Sequence, residues 1–229
     1  MLFDLRGSGR RRTVKIVYIT LAFLMGGGLV LFGIGGATSG GLLDAIQGNS
    51  GSVNANDVFQ KRVDALQKRT QANPRDAAAW NELASVRFSV ATSGENYDQT
   101  NRVFTTKGKA ELGRAADAWN RYLALNPSKP DAETATKMVQ ALGTDGLRRY
   151  ADAVKALEIV IDNRPATYQL YAQLAALAHG AKQDRKATLS TNKAVELAPK
   201  SQRQAVKDAI KQEQARIDGL ATAGQPSGQ

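Results

Sequence analysis

Four prolines follow helix-like stretches of this chain, and their recurrence limits the folds that it can adopt. They end the tripeptides Ala72-Asn73-Pro74, Leu125-Asn126-Pro127, Asn163-Arg164-Pro165 and Leu197-Ala198-Pro199. Proline has no backbone N–H and disfavours the helical conformation in the residue before it, so helices usually end there. The last two prolines are 34 residues apart. Recurrence at roughly 20–50 residues is typical of repeat architectures.

The segment before the last proline has the residue spacing of two packed helices. Its inward positions and final proline are Tyr171, Leu174, Ala175, Ala178, Ala187, Thr191, Ala194 and Pro199. An earlier unit repeats the arrangement with larger side chains, namely Trp80, Leu83, Ala84, Ala115, Trp119, Tyr122 and Pro127. The pattern resembles the tetratricopeptide repeat (TPR), a pair of helices with a period of about 34 residues.

The TPR resemblance implies an all-α domain, a TPR-like helical-hairpin solenoid, over residues 57–218. A helix predicted at 57–72 begins the stack as the second half of an incomplete repeat. The middle unit is predicted as helices 131–142 and 147–162. A half-polar helix, capped by Ser201 and continuing to about Ile217, is expected to close the open end of the stack.

Two further segments are predicted outside this regular pattern. The unit that ends at Pro127 exceeds the unit that ends at Pro199 by about 19 residues, which indicates an insertion at 92–110. The insertion is either a loop that folds against its own repeat or a loop that binds a partner. Residues 219–229 are predicted to be a disordered tail.

Residues 16–37 form an uncharged, apolar segment that is long enough to cross a bilayer as a helix. Such a helix would be about 33 Å long, against a hydrocarbon core of about 30 Å. Five Lys or Arg residues lie within residues 1–15, whereas the first charge after the segment is Asp44. The positive-inside rule therefore predicts a cytoplasmic basic segment at 1–15 and a transmembrane helix at 16–37.

This topology locates the protein in the cytoplasmic membrane as a single-pass protein, with its amino terminus in the cytoplasm and its C-terminal domain outside. Residues 38–56, rich in Gly, Ser and Asn, are predicted to be a flexible linker. A cleaved signal peptide is the alternative to a retained anchor, although the apolar region of such a peptide is usually about 7–15 residues long.

The composition argues against several classes of enzyme. The chain contains no cysteine and one histidine, His179, which excludes thiol catalysis, Cys-based zinc sites and sites that need two imidazoles. Phosphate-binding, serine-hydrolase and paired-carboxylate motifs do not stand out. We therefore expect no enzyme and no catalytic, cofactor or metal site. The net charge is +10, but Lys and Arg alternate with Asp and Glu along the chain and do not form a basic block. We therefore also expect no nucleic-acid partner.

The TPR resemblance implies a concave surface lined by the first helix of each pair, on the side opposite the inward pattern. The small or polar residues expected to form a protein-binding groove there are Asn81, Ser85, Gln169, Ala172, Ala176 and His179. The paired Lys and Asn of carboxylate-clamp TPR proteins are missing, so a helix or an extended segment is the expected ligand. His179 is also interpreted as a partly exposed imidazole that the end of a helix favours.

Together these expectations describe a membrane-tethered, extracytoplasmic protein-interaction scaffold. It resembles, in topology only, single-span bacterial membrane proteins with an exposed TPR domain, including translocon- and chaperone-associated members. That resemblance implies other proteins or peptides as partners and a role in protein export or folding. An assembly factor for envelope or cell-wall complexes is the alternative function, and the sequence leaves the oligomeric state open.

Overall fold

The computed structural model describes residues 55–223, which form an all-α domain. Its helices are α1 (Ala55–Ala72), α2 (Ala77–Ala91), α3 (Thr106–Ala124), α4 (Ala132–Leu142), α5 (Tyr150–Asn163), α6 (Tyr168–Gly180), α7 (Asp184–Leu197) and α8 (Arg203–Ala223). Two short 3-10 turns lie at Gly94–Asn96 and Lys200–Gln202. Between α2 and α3, β1 (Tyr97–Asp98) pairs antiparallel with β2 (Val103–Phe104). The predicted all-α class is confirmed for this range.

The predicted basic segment 1–15 and transmembrane helix 16–37 lie outside the described residues, as does nearly all of the linker at 38–56. The last two residues of that linker already belong to α1. Within residues 55–223, no helix is both long enough and apolar enough to cross a membrane.

Side chains that precede the helices fix where several of them begin. Asp76, Thr105, Asp131 and Thr167 each accept a hydrogen bond from the backbone N–H three residues ahead, at 3.0, 3.2, 2.6 and 3.3 Å. These N-caps satisfy amide groups that have no partner inside a helix. At the other end, α1, α3, α5 and α7 all stop one to three residues before a proline, as the proline pattern predicts.

Successive helices pack against one another, and two pairs of alternate helices, α2 with α4 and α6 with α8, add further contacts. α2 packs on both α3 and α4, and α8 packs on both α6 and α7. Trp119 is 1% exposed between these layers, and the Tyr122 hydroxyl accepts a hydrogen bond from the Asp131 N–H at 3.0 Å. Alanines allow the close approach of the helices, since Ala84, Ala115 and Ala175 are fully buried.

Trp80 differs from its predicted core position because it is only half-buried. Its indole N–H donates to the Pro74 carbonyl at 2.9 Å, so the ring covers the turn between α1 and α2. An ion pair between the buried Arg87 and the partly buried Glu111, with 2.8 Å between Nη1 and Oε2, links α2 to α3. No apolar pattern could have indicated that pair.

Three predicted boundaries shift in the structure. α5 begins at Tyr150 rather than at 147, because Arg148 takes a left-handed conformation with φ of 56° and ends the preceding turn. α3 begins at Thr106, inside the predicted insertion of 92–110. α8 extends to Ala223 and so includes the first residues of the predicted tail, while residues 224–229 lie outside the described range.

Candidate protein-binding groove

One groove of about 760 Å³ runs between parts of the domain that are distant in sequence. We call it the central groove. It is lined by the hairpin β1–β2, by α4 and the turn that follows it, by α6 and by α8. Apolar and polar side chains both line it, which is the usual composition of a binding site.

The buried base of the groove consists of apolar side chains from three helices. Val139 on α4, Leu177 on α6 and Ile210 on α8 line it and are 3–4% exposed. Beside them Ala172 has only a methyl group, which leaves space between α6 and α8. Gln173 lines the groove and is exposed, so it provides an amide group at the entrance.

The hairpin forms a second side of the groove. Tyr97 and Phe104 are cross-strand partners, and their rings meet edge to face with centroids 5.0 Å apart. Both rings line the groove. The hairpin is fixed to the helices because Asn96 Nδ2 donates to the Val90 carbonyl at 2.9 Å, and the Thr105 hydroxyl donates to the Asn96 carbonyl at 3.1 Å. Aromatic edges held in this way need little ordering on binding.

Gly108 is the residue of α3 that allows the hairpin to lie so close. A Cβ built at this position would be 2.0 Å from the Asn96 carbonyl oxygen. Any other residue would therefore push Asn96, and the hairpin attached to it, away from the helix.

The third side of the groove contains an ionic cluster. Arg216 on α8 donates from Nη1 to Asp145 and from Nε to Glu213, at 2.8 Å in both cases. The hydrogen bond to Glu213, followed by that to Asp145, raises the pKa of Arg216, so it stays charged. The Thr144 hydroxyl donates to Glu213 Oε1 at 3.2 Å. These contacts join α8 to the turn after α4.

Only two of the six sequence-predicted groove residues line the central groove. Ala172 and Ala176 on α6 do so, although Ala176 is itself 4% exposed. Gln169 is exposed on the first turn of α6 and does not line the groove. His179 lies at the end of α6, where its Nε2 is 3.0 Å from the Asp218 carboxylate of α8. α8 thus engages the imidazole that was expected to face a ligand.

The other two predicted residues belong to α2 and also lie apart from the groove. The Ser85 hydroxyl accepts a hydrogen bond from Lys137 Nζ of α4 at 2.5 Å. Asn81 is half-buried, and its Oδ1 is enclosed without a hydrogen-bond partner among the described residues. Packing of α4 against α2 explains the difference, because it covers the α2 face that was expected to be open.

Sequence reasoning missed most of the residues that form the sides of the groove. Tyr97 and Phe104 were visible as apolar residues inside a polar insertion, which is a signal for a loop that packs. Glu213 and Arg216 gave no comparable signal, because charged residues on a terminal helix normally face solvent. The position of the groove depends on how α8 crosses α6, and composition does not indicate that.

The part of the chain that the structure describes holds no group of three or more His, Asp or Glu side chains arranged to bind a metal ion. Together, the fold and the site define an all-α domain of packed helices that has a groove of mixed apolar and polar lining. No protein-family model matches the chain, and no curated protein matches it.

Proposed function

We propose that this protein is a membrane-tethered, extracytoplasmic scaffold that binds a segment of another protein in the central groove. The observation that carries the proposal is the groove itself, at about 760 Å³ with an apolar base, aromatic edges and a polar entrance. Its volume is within the range of roughly 300–1,000 Å³ that is usual for small ligand sites. A few side chains of a peptide fill such a volume.

A TPR-like arrangement of the helices supports the proposal. The pairs α2–α3, α4–α5 and α6–α7 each end before a proline, and each pair contains buried alanines. In such a stack the first helices of successive pairs line one side, and this side is suited to extended ligands. The groove contains residues of two of those helices, α4 and α6.

The tether is supported by the sequence of residues 1–37. An uncharged apolar run of membrane-spanning length follows five basic residues, and this order favours a cytoplasmic amino terminus. Protease added to spheroplasts of a bacterial host should then digest the helical domain and leave a short membrane fragment. A soluble protein that begins near Thr38 would show instead that the segment is a cleaved signal peptide.

Site-specific photocrosslinking tests the groove in the full-length protein. A photoreactive amino acid at Gln173, an exposed groove residue, should form adducts with other proteins in living cells. The same group at Ala110, which is exposed on α3 and does not line the groove, is the matched control. Adducts should disappear when Ala172→Arg fills the groove. Equal adducts from both positions, or adducts that persist in the filled groove, would overturn the proposal.

Ala172→Arg is a better variant than the corresponding change at Ala176, which also lines the groove. Ala176 is 4% exposed, so a long charged side chain there would disturb packing between helices. Ala172 is half-exposed at the edge of the groove, and arginine has a helix propensity close to that of alanine. Ala110→Arg, made on the exposed face of α3, controls for the added charge.

A further inference from the structure

Arg102 differs from every other charged side chain of the central groove. Asp145, Glu213 and Arg216 also line the groove, and they form ion pairs with one another at 2.8 Å. Arg102 is exposed at the groove, and within residues 55–223 no acidic side chain forms an ion pair with it. One side of the groove therefore has an unneutralised cation, whereas the charges of the opposite side are already paired.

The acidic residue nearest to Arg102 in the hairpin is engaged elsewhere. The Asp98 carboxylate accepts hydrogen bonds from the backbone N–H groups of Thr100 and Asn101, at 2.8 and 3.0 Å, and from the Asn101 side chain at 2.6 Å. These bonds lower the pKa of Asp98. The turn thus holds this carboxylate and leaves Arg102 available to a ligand.

Arg102 is also one of four residues other than glycine that have a positive φ within residues 55–223. Its φ is 56°, in the left-handed region where glycine or asparagine is favoured over a residue with a long side chain. It ends the loop between β1 and β2, a position in hairpins that commonly holds glycine. The hairpin would form more easily with one of those residues, so folding of the turn does not account for arginine here.

The neighbours of Arg102 on the groove side are aromatic. Phe104 lines the groove together with Arg102, whereas Val103 between them is 51% exposed and does not line it. Tyr97 faces Phe104 across the strand pair. A cation next to two ring edges and an apolar base is complementary to a carboxylate that is followed or preceded by an apolar side chain.

We propose that the central groove selects protein segments in which an Asp or Glu side chain adjoins apolar residues, with Arg102 as the residue that determines this specificity. The inference rests on the proposed function, since it names the chemistry of the segment that the groove binds. Arg102 pairs with the carboxylate, while the apolar neighbours contact Tyr97, Phe104 and the base formed by Val139, Leu177 and Ile210. The other groove charges are already engaged, because Asp145 and Glu213 both pair with Arg216.

A displayed library of random 12-residue peptides tests the proposal with the full 229-residue chain held in detergent micelles. Each peptide is fused to the display protein at its carboxyl end, so that no free C-terminal carboxylate is present. Selection is carried out in parallel on the wild-type chain, Arg102→Lys, Arg102→Asn, Arg102→Glu and Ala172→Arg. Asparagine removes the charge and tolerates a positive φ, so Arg102→Asn should fold at least as well as the wild type.

The wild-type chain and Arg102→Lys should enrich peptides with Asp or Glu beside apolar residues. Arg102→Asn should lose the acidic preference but keep the apolar one, and Arg102→Glu should enrich Lys or Arg instead. For one selected peptide, Arg102→Asn should weaken binding about fivefold, as expected for one well-placed exposed ion pair. Replacing the peptide's Glu by Gln should cause the same loss, and the two changes together should cause no further loss.

Two negative results have different meanings. In the first, the selected peptides are lost in Ala172→Arg, so they require an open groove, but they show no acidic preference. This result would overturn the role of Arg102 and leave the proposed function intact. The same conclusion follows if the acidic preference survives in Arg102→Asn. Failure of the wild-type chain to retain any groove-dependent peptide would overturn both proposals.

Discussion

Residues other than glycine that adopt a left-handed conformation lower the stability of the domain at individual turns. Lys182 is an example, with φ of 58° directly after α6. Its N–H donates to the His179 carbonyl at 2.9 Å, and the next N–H, of Gln183, donates to Ala178 at 2.8 Å. These two bonds define a Schellman motif, whose left-handed position is usually glycine. The lysine side chain gains little there, because its nearest acidic partner, Asp218, is 3.8 Å away on the surface.

We expect Lys182→Gly to stabilise the domain by about 1 kcal/mol, because glycine adopts the left-handed conformation without the steric cost that a Cβ brings. Urea unfolding followed by circular dichroism measures the change. Lys155→Gly is the matched control, since Lys155 is an exposed residue in the interior of α5, and it should cost about 1 kcal/mol. A lower midpoint for Lys182→Gly would show that its side chain contributes more than the turn geometry indicates.

At the scale of the element, the start of α2 depends on one carboxylate. Asp76 accepts from the Ala79 N–H at 3.0 Å and from Arg69 Nε at 2.7 Å. The Ala79 hydrogen bond, assisted by Arg69, lowers the pKa of Asp76 against the opposing effect of burial. A carboxylate whose pKa is lower in the folded state stabilises the protein at pH values above its unfolded pKa. That contribution is lost as the pH falls through the folded pKa.

Asp76→Asn and Asp76→Ala should separate capping from charge. At neutral pH we expect Asp76→Ala to cost about 1 kcal/mol and Asp76→Asn to cost less, because asparagine also caps a helix. Between about pH 5 and pH 3 the wild-type chain should lose stability relative to both variants, since only it has a carboxylate at this site to protonate. Urea midpoints measured across this range provide the check. Parallel pH profiles for all three proteins would be inconsistent with this role of Asp76.

The hairpin element depends on a close contact with α3. Gly108→Ala should destabilise the domain and displace the hairpin, because its Cβ would be 2.0 Å from the Asn96 carbonyl oxygen. Gly113→Ala is the matched control on the same helix, where a Cβ would meet no atom within 4 Å, and it should stabilise α3 by about 0.5–1 kcal/mol. Thermal melting should therefore shift in opposite directions for the two variants. A stabilised Gly108→Ala would mean that the hairpin does not need this contact.

At the scale of the whole molecule, the sequence predicts the helices well because their signals are local. The prolines and the alternation of bulky and small residues around Trp119 each act within a few residues of their own position. The boundary at Leu147 was wrong for a similar local reason, since the chain turns once more through a left-handed Arg148 before α5 begins. These features account for the predicted all-α class.

The groove was predicted less well, because its sides come from segments that are far apart in sequence. Ala172 was found from its position on one helix. Arg102 and Arg216, in contrast, reach the groove only because the hairpin and α8 pack where they do. Ser85 was excluded from the groove by α4, which lies over α2. Helical periodicity indicates which face of a helix lacks apolar core residues. It does not indicate whether another helix packs over that face.

α8 connects the helices α6 and α7 to the turn after α4, and removing it should have effects at both places. Val206 and Ile210 cover Ala175 of α6 and Ala194 of α7 in a separate apolar cluster. Farther along the helix, Arg216 pairs with Asp145 of the turn after α4. The proximal half of α8 is therefore held by burial of apolar surface. The distal half is held both by ion pairs that salt screens and by Ile217, which is 3% exposed.

A fragment of residues 55–223 should fold without the amino-terminal segment, because all of the apolar clusters above lie within it. We expect a predominantly helical circular dichroism spectrum and one cooperative melting transition. Truncation after residue 202 should expose Ala175 and Ala194 and lower the melting temperature substantially. The variant Arg216→Ala should lower it by only a few degrees or less, since exposed ion pairs contribute about 0–1 kcal/mol.

Hydrogen exchange gives these variants a readout within the domain. Truncation after residue 202 should increase exchange in α6 and α7, which lose their apolar cover, while α2 and α3 stay protected. Arg216→Ala should increase exchange mainly in the distal half of α8 and in the turn around Asp145. Unfolding of all helices together after the truncation would contradict this division and would indicate that α8 stabilises the stack as a single cooperative unit.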